Sequence, residues 1–139
     1  MLKIESINQY YGQSHTLWDL NLEVKKGRCT CVMGRHGVGK TTLSKVIMGL
    51  LPIKDGSLIY EGEDISKLND HKRASIAIGY VPQGREIFSQ LTVLENLQIG
   101  VLANRHKIKK VPQKIYDLFP VLKDMANIVT GKQIGRAHV

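Results

Sequence analysis

Alternation of apolar and polar residues near the start of the chain predicts two half-buried strands. In the first, Leu2–Tyr11, the side chains of Leu2 and Ile4 fall on one side and Ile7 on the other, and a Tyr-Gly turn ends the strand. Leu17–Val24 repeats the alternation and stops before a Lys-Gly pair. Because the two segments are joined by a short turn, we expect them to pair as antiparallel strands.

Two other segments are almost continuously small or apolar, a pattern typical of strands buried on both faces of a parallel sheet. The first is Arg28–Met33, and the second is Ile76–Val81, which Pro82 terminates. Cys29 and Cys31 would share one face of the first strand. A lone C-x-C pair has too few ligands for zinc, so both are interpreted as buried, unpaired thiols of a reducing cytosol.

Helical spacing and helix-capping residues predict most of the remaining elements. Asn69 or Asp70 can cap one helix, and Thr92 can cap another, with Glu95 at the offset of a capping box. Pro112 suits the first turn of a third. In chain order, the predicted elements are a helix from Lys40 that Pro52 ends, a short strand Gly56–Tyr60, and helices Asn69–Ser75, Val93–Leu102 and Val111–Phe119.

Composition narrows the class of protein. The chain has 139 residues, of which 42% are hydrophobic and 23% charged, so it is one domain at most and its composition excludes disorder and a collagen-like or disulfide-rich scaffold. No targeting signal is recognised at the start, and the longest apolar stretch, Val46–Ile53, is far too short to span a bilayer. The net charge of +8 raises the question of a polyanionic partner.

A phosphate-binding loop lies between the predicted strand Arg28–Met33 and the helix that begins at Lys40. It satisfies the pattern G-x-x-x-x-G-K-S/T with Gly34, Arg35, His36, Gly37, Val38, Gly39, Lys40 and Thr41. The glycines allow backbone N–H groups to turn toward an anion, and the helix directs its positive end at the same point. Lys40 would reach the β- and γ-phosphates, Thr41 would ligate Mg²⁺, and Thr42 could bond the α-phosphate.

The chain, with these motifs, resembles the ATP-binding subunit of an ABC transporter from Met1 to about Met125. The resemblance implies an α/β P-loop NTPase fold, here incomplete, with an N-terminal antiparallel β subdomain and part of the helical subdomain. It implies ATP and Mg²⁺ as cofactors. Tyr11 matches the aromatic residue that stacks on adenine, although Tyr10 or Trp18 could take that role. Gln83 matches the glutamine that contacts Mg²⁺ and the attacking water, and with Lys40 it would be catalytic.

Within this family, the chain is most similar to the branch that imports branched-chain amino acids, amides and urea. The segments MGRHGVGKTTL and IGYVPQGREIF carry this resemblance. The second of them, together with YYGQSH, is more similar to urea-type subunits, whereas leucine-type subunits usually have alanine at Val38 and glutamate at Gln83. Urea or a short amide is therefore the expected solute, with a branched-chain amino acid as the alternative. His36 stands where the family normally has asparagine, and an imidazole that changes charge near neutral pH could make nucleotide affinity pH-sensitive.

The later motifs of the family are not found in this sequence. After Phe119 there is no LSGGQ-type signature and no apolar strand ending in Asp-Glu, and His138 does not qualify as the switch histidine. We expect phosphate binding without turnover at a family-like rate, and an exposed edge beside the phosphate-loop strand.

Residues 1–126 are assigned to the ABC ATPase domain. Residues 127–139 are assigned to a non-family tail whose end resembles a translated sequencing adapter, as if the gene were truncated.

The resemblance also implies partners and a location. The partners are integral-membrane permease subunits, a second ATPase subunit that completes a nucleotide-sandwich dimer and, indirectly, a periplasmic solute-binding protein. The subunit would lie on the cytoplasmic face of the bacterial plasma membrane.

Two other classes compete with this interpretation, a non-transport ABC ATPase and a nucleic-acid-binding protein. The second is suggested by the basic residues Arg105, His106, Lys107, Lys109, Lys110 and Lys114. No aromatic residues are interleaved with them, so a solvated basic face is favoured and no nucleic acid is expected.

Overall fold

A computed structural model describes residues 1–84, 86–102 and 110–132 of the chain, with the side chain of Lys132 excepted. The chain divides into two units, Met1–Tyr80 and Val81–Val139. Among the described residues, no helix is long and apolar enough to cross a membrane.

The first unit contains an antiparallel sheet of four strands. The strands are β1 (Leu2–Tyr11), β2 (Ser14–Val24), β3 (Asp55–Tyr60) and β4 (Glu63–Asp64). Their order across the sheet is β2-β1-β3-β4, and every pairing is antiparallel. The two predicted N-terminal strands and their antiparallel pairing are confirmed, and the structure begins the second strand three residues earlier than the apolar pattern does.

A bulge in β1 changes which side chains face the core. Ile4 pairs with Leu22 but Ile7 pairs with Leu20, so the register shifts between them. Ser6, at the shift, has φ +48°, and its N–H donates to Asn21 Oδ1 at 2.9 Å. The extra residue turns odd-numbered side chains inward after Ser6, so Ile4 and Ile7 are both buried. The predicted placement of Ile7 on the face opposite Ile4 is therefore wrong.

Helix α1 (Lys40–Met48) supplies the other side of the core in this unit. It buries Leu43 and Val46 in one cluster with residues of all three long strands. A buried aliphatic side chain contributes about 1.5–3 kcal/mol to folding, so this face fixes the helix on the sheet. The helix ends before Pro52, because Gly49 adopts φ +81° and its N–H donates to the Val46 carbonyl oxygen at 3.0 Å.

The structure shows which of the two candidate residues caps helix α2 (Asp70–Ser75). The side chain of Asn69 accepts a hydrogen bond from the N–H of Lys72 at 3.0 Å, so Asn69 is the N-cap residue. Asp70 lies in the first turn, where a carboxylate favours the positive end of the helix.

The second unit is helical within its described residues. It contains α3 (Val93–Leu102), α4 (Gln113–Leu118), α5 (Val121–Asp124) and a single 3-10 turn at Thr130–Lys132. The predicted capping box is confirmed: Thr92 Oγ1 accepts from the N–H of Glu95 at 3.2 Å, and Glu95 Oε2 accepts from the N–H of Thr92 at 2.7 Å. The bonds from Thr92 hold the pKa of Glu95 below its usual value. Pro112 precedes α4 as its N-cap, so that helix is shorter than predicted.

The two predicted buried strands are wrong. Arg28–Met33 forms no strand and is exposed throughout, Met33 by 86%, and Cys29 and Cys31 are exposed thiols. In Ile76–Val81, the first two residues form a turn after α2, and Val81 is 93% exposed. A strand buried on both faces needs neighbouring strands to take up its N–H and C=O groups, and no described strand pairs with either segment.

Candidate phosphate-binding site

The glycine-rich loop leads directly into α1 and leaves the start of that helix open. Gly37 and Gly39 have φ values of +82° and +96°, in the left-handed region that glycine adopts without strain. Gly39 is the N-cap residue and has no side chain that could bond the first N–H groups of the helix. Those N–H groups point out of the helix end, together with its positive dipole, which is the arrangement that binds phosphate.

Gly39 also holds the loop against the β1–β2 hairpin. A Cβ atom placed on Gly39 would lie 2.8 Å from Leu17 Cδ2 and 3.4 Å from the carbonyl oxygen of Thr16. Leu17 is buried in the core and pairs with Gln9 of β1. The helix N-terminus can approach the hairpin this closely only because residue 39 lacks a side chain.

The loop folds back on itself within residues 34–40. A Cβ on Gly34 would lie 2.9 Å from Val38 Cγ2. The ammonium group of Lys40 donates to the carbonyl oxygens of Gly34 at 2.7 Å and Arg35 at 2.5 Å. Two backbone carbonyls thus hold the positive charge of Lys40 at the loop. An incoming phosphate would replace these carbonyls as the hydrogen-bond partners of Lys40.

The remaining loop residues fall into two groups by burial. Arg35, His36 and Thr41 are exposed, so the hydroxyl group of Thr41 is accessible at the first turn of α1. Thr42 is buried beside Leu43 on the core side of the helix. Thr42, the residue predicted to bond the α-phosphate, therefore packs against the interior.

Mg²⁺ fits this site only together with a nucleotide. Within residues 1–84, 86–102 and 110–132, no group of three His, Cys, Asp or Glu side chains could hold a metal ion. Mg²⁺ commonly takes one or two protein oxygens and completes its shell with phosphate oxygens and water. The exposed Thr41 hydroxyl at the helix end suits that mode.

An aromatic stack next to the turn of the hairpin was not predicted. The rings of Tyr10 and His15 stack at 4.0 Å between centroids, and those of His15 and Trp18 at 3.7 Å. Lys54 Nζ lies 4.9 Å from the Tyr10 ring centroid. The register places Tyr10 opposite His15 across the hairpin, but that pairing depends on the shifts in β1, which the sequence pattern does not reveal.

The three candidates for adenine stacking differ in their surroundings. Tyr10 is engaged between His15 and Lys54. Trp18 is 70% exposed, stacks on His15, and its indole N–H donates to the His15 carbonyl oxygen at 3.1 Å. Tyr11, at the end of β1, is 47% exposed and takes no part in this stack.

Gln83 belongs to the second unit, where it is exposed in a bend. Further along this unit, Asn96 of α3 holds the backbone at Phe88, which the sequence did not predict. Asn96 Oδ1 accepts from the N–H of Phe88 at 2.9 Å, and its Nδ2 donates to the carbonyl oxygens of Phe88 at 3.1 Å and Thr92 at 2.9 Å. Thr130 Oγ1 donates to the same Phe88 carbonyl oxygen at 2.9 Å. The sequence signal was only an asparagine within a predicted helix, where asparagine is not a favoured residue.

The basic cluster lies mostly outside the described residues. Arg105, His106, Lys107 and Lys109 fall there, as do Arg136 and His138, whereas Lys110 and Lys114 are described and exposed.

Comparison with known proteins identifies relatives over most of the chain. A profile of the family described as ABC transporter matches residues 17–134. The high-affinity branched-chain amino acid transport ATP-binding protein BraG of Pseudomonas aeruginosa is 37% identical over 125 residues, covering 89% of this chain and 54% of that protein. A probable branched-chain amino acid transport ATP-binding protein, LivF of Archaeoglobus fulgidus, is 36% identical over 88% of this chain and 52% of that protein. The chain therefore spans about half the length of the curated relatives it matches.

A solved structure supports the same relationship. The crystal structure of a nucleotide-free ATP-binding cassette from an ABC transporter superposes with a TM-score of 0.77 at 28% identity, covering 95% of this chain and 58% of the other.

Replacing Gly39 tests whether its backbone and close approach hold the loop. We expect Gly39→Ala to lower the free energy of unfolding by about 1–2 kcal/mol through its left-handed backbone alone, with a further loss from the contact with Leu17. Urea denaturation measures the change. Gly79→Ala is the matched control, because a Cβ at Gly79 meets nothing within 4 Å. Equal stability of the two variants would contradict the assigned role of Gly39.

Proposed function

Because the chain belongs to the ABC transporter family, we propose that it carries the phosphate-binding half of a subunit that binds and hydrolyses ATP to drive solute import. The observation that carries the proposal is the geometry at the start of α1. There, the left-handed Gly39 leaves the helix N–H groups uncapped, and Lys40 brings a positive charge to the same loop. A helix N-terminus with a lysine beside it favours a triphosphate over a neutral ligand.

In this proposal, the triphosphate lies across the N-terminus of α1. Backbone N–H groups of the loop and the first helical turn bind the β-phosphate, and Lys40 exchanges its bonds to Gly34 and Arg35 for bonds to the β- and γ-phosphates. The hydroxyl of Thr41 would hold a Mg²⁺ ion that neutralises the phosphate charge. Arg35, His36 and Val38 would shape the exposed rim of the loop around the nucleotide.

Two further residues complete the proposed site. Tyr11 would stack on the adenine, since the ring of Tyr10 is already engaged by His15 and by Lys54. Gln83 would contact the metal and the attacking water, as the family resemblance implies. The carboxylate that polarises the water is assigned to none of these 139 residues, so nucleotide binding is the part of the reaction that we propose for them, and hydrolysis belongs to the whole subunit.

Both curated relatives described above carry names that state branched-chain amino acid transport, and we propose such amino acids as the solute. Urea is the second candidate, because Val38 and Gln83 are the residues in which this sequence resembles urea-type subunits. The proposed partners are permease subunits in the membrane, a second ATPase subunit and, indirectly, a periplasmic solute-binding protein. The permease would hold this subunit at the cytoplasmic face.

Removing the charge of Lys40 tests the phosphate role. Charge-assisted hydrogen bonds contribute about 1.5–3 kcal/mol, so Lys40→Met should weaken Mg-ATP binding about 10- to 150-fold. Isothermal titration calorimetry measures the dissociation constant. Lys45→Met removes the same charge further along α1 and should leave the affinity within about twofold. Wild-type affinity in Lys40→Met would refute the proposed phosphate site.

Removing the aromatic ring of Tyr11 tests the adenine contact. Stacking of a base on an aromatic ring contributes about 1–3 kcal/mol, so Tyr11→Ala should weaken ATP binding about 5- to 150-fold. Binding of inorganic tripolyphosphate should be unchanged, because it has no base. Trp18→Ala is the control, because the ring of Trp18 is also exposed. A loss of ATP affinity in Trp18→Ala but not in Tyr11→Ala would transfer the role to Trp18.

The two candidate solutes can be separated by transport. Disruption of the gene in its source cell should abolish ATP-dependent uptake of radiolabelled leucine and leave urea uptake unchanged. Complementation with a gene encoding the Lys40→Met substitution should fail to restore leucine uptake. Loss of urea uptake with normal leucine uptake would favour the second candidate.

A further inference from the structure

Arg73 is a buried cation without a carboxylate partner among the described residues. It lies in α2 and is only 3% exposed. Its guanidinium group uses four of its five N–H donors on backbone carbonyl oxygens: those of Val46 at 2.7 Å, Ile47 at 2.9 Å, Leu68 at 2.8 Å and Ser66 at 3.1 Å. Burial lowers the pKa of Arg73 because the charged form is partly removed from water. Such a charge is tolerated in the interior only where carbonyl dipoles surround it.

Two of these carbonyls belong to the last turn of α1, the helix whose first turn forms the proposed phosphate site. A cation at the C-terminal end of a helix satisfies its open carbonyls and complements its dipole. Gly49 brings the two helices together, since a Cβ there would lie 3.0 Å from Arg73 Nε and 3.0 Å from the backbone nitrogen of Asp70. The guanidinium group therefore fixes the far end of α1 to the start of α2.

The backbone of Arg73 fixes the segment that follows α2. Its carbonyl oxygen accepts from the N–H groups of Ile76 and Ile78, each at 3.2 Å. Gln83 comes five residues after Ile78 in the chain. One residue thus holds the end of the phosphate-loop helix through its side chain and residues 76–78 through its backbone.

We propose that Arg73 is a positioning residue that couples the phosphate-loop helix to the segment leading to Gln83. The inference rests on the proposed function, because it requires nucleotide to bind at the start of α1. A planar guanidinium fork suits this coupling, since it holds four carbonyls at fixed angles, whereas the single nitrogen of a lysine has three donors and no fixed plane. When nucleotide shifts or tightens α1, the contacts at Val46 and Ile47 move Arg73, and its carbonyl transmits the change to residues 76–78.

Amide hydrogen exchange with and without Mg-ATP tests the coupling. In the wild-type chain, nucleotide should slow exchange at the amides of Ile76 and Ile78 about fivefold or more, the lower end of ordinary coupling between sites. Arg73→Lys should lose this nucleotide-dependent change. A purely structural role would alter exchange in the free and bound states alike, so the ratio between them is the informative quantity. Lys72→Gln, an exposed neighbour on the same helix, should keep the wild-type ratio.

A second measurement needs no variant and so does not depend on Arg73→Lys folding. The guanidinium resonances of Arg73 should shift when Mg-ATP is added to the labelled wild-type chain, because two of their acceptors lie on α1. Nucleotide binding with unchanged guanidinium resonances, or an unchanged exchange ratio in a folded Arg73→Lys variant, would overturn this inference alone. Absence of nucleotide binding by the wild type would overturn the proposed function, and this inference with it.

Discussion

The close approach of Gly39 to the start of β2 is the contact on which the proposed site depends. It places the N-terminus of α1 against Thr16 and Leu17, while the apolar face of the helix is buried on the sheet. Leu17 takes part in both contacts, because it is buried in the core and also lies against Gly39. The helix is therefore fixed at its first turn by the absence of a side chain and along its length by apolar burial. This combination keeps its N–H groups open toward a ligand.

The two ends of α1 are held by different physical means. At the start, the conformational freedom of glycine leaves backbone groups unused, which suits the binding of an anion. At the end, the N–H of Gly49 bonds the carbonyl oxygen of Val46, and the guanidinium group of Arg73 bonds those of Val46 and Ile47. The C-terminal end of the helix therefore cannot shift without breaking charge-assisted hydrogen bonds. In the proposed coupling, movement at the nucleotide end changes the contacts of α2 and of residues 76–78.

Local chemistry made part of this structure predictable. The Asn69 cap and the Thr92 and Glu95 capping box depend on residues within three positions of each other, and the structure confirms them. The bulge at Ser6 was not predictable from alternation, because it depends on Asn21 in the next strand. The Arg28–Met33 strand was predicted from apolar content alone, but strands require partners, and the described residues offer none there.

The same distinction applies to the candidate site. The loop of residues 34–41 was recognised from the sequence because the spacing of its glycines is what allows its backbone N–H groups to bind phosphate. Arg73 gave no signal, since an arginine in a short polar helix normally indicates a solvated surface, and only the fold turns it toward the end of α1. Asn96 was missed for a similar reason, because its partners at Phe88 and Thr130 are brought to it by the chain path.

The uncapped start of α1 and its loop form the proposed anion site of this chain. Backbone amide resonances, followed during titration with Mg-ATP, test this directly. We expect saturable shifts that are largest at Gly37, Gly39, Lys40 and Thr41 and small in β3 and β4. Shifts that are absent, or that are confined to residues away from the loop, would contradict it.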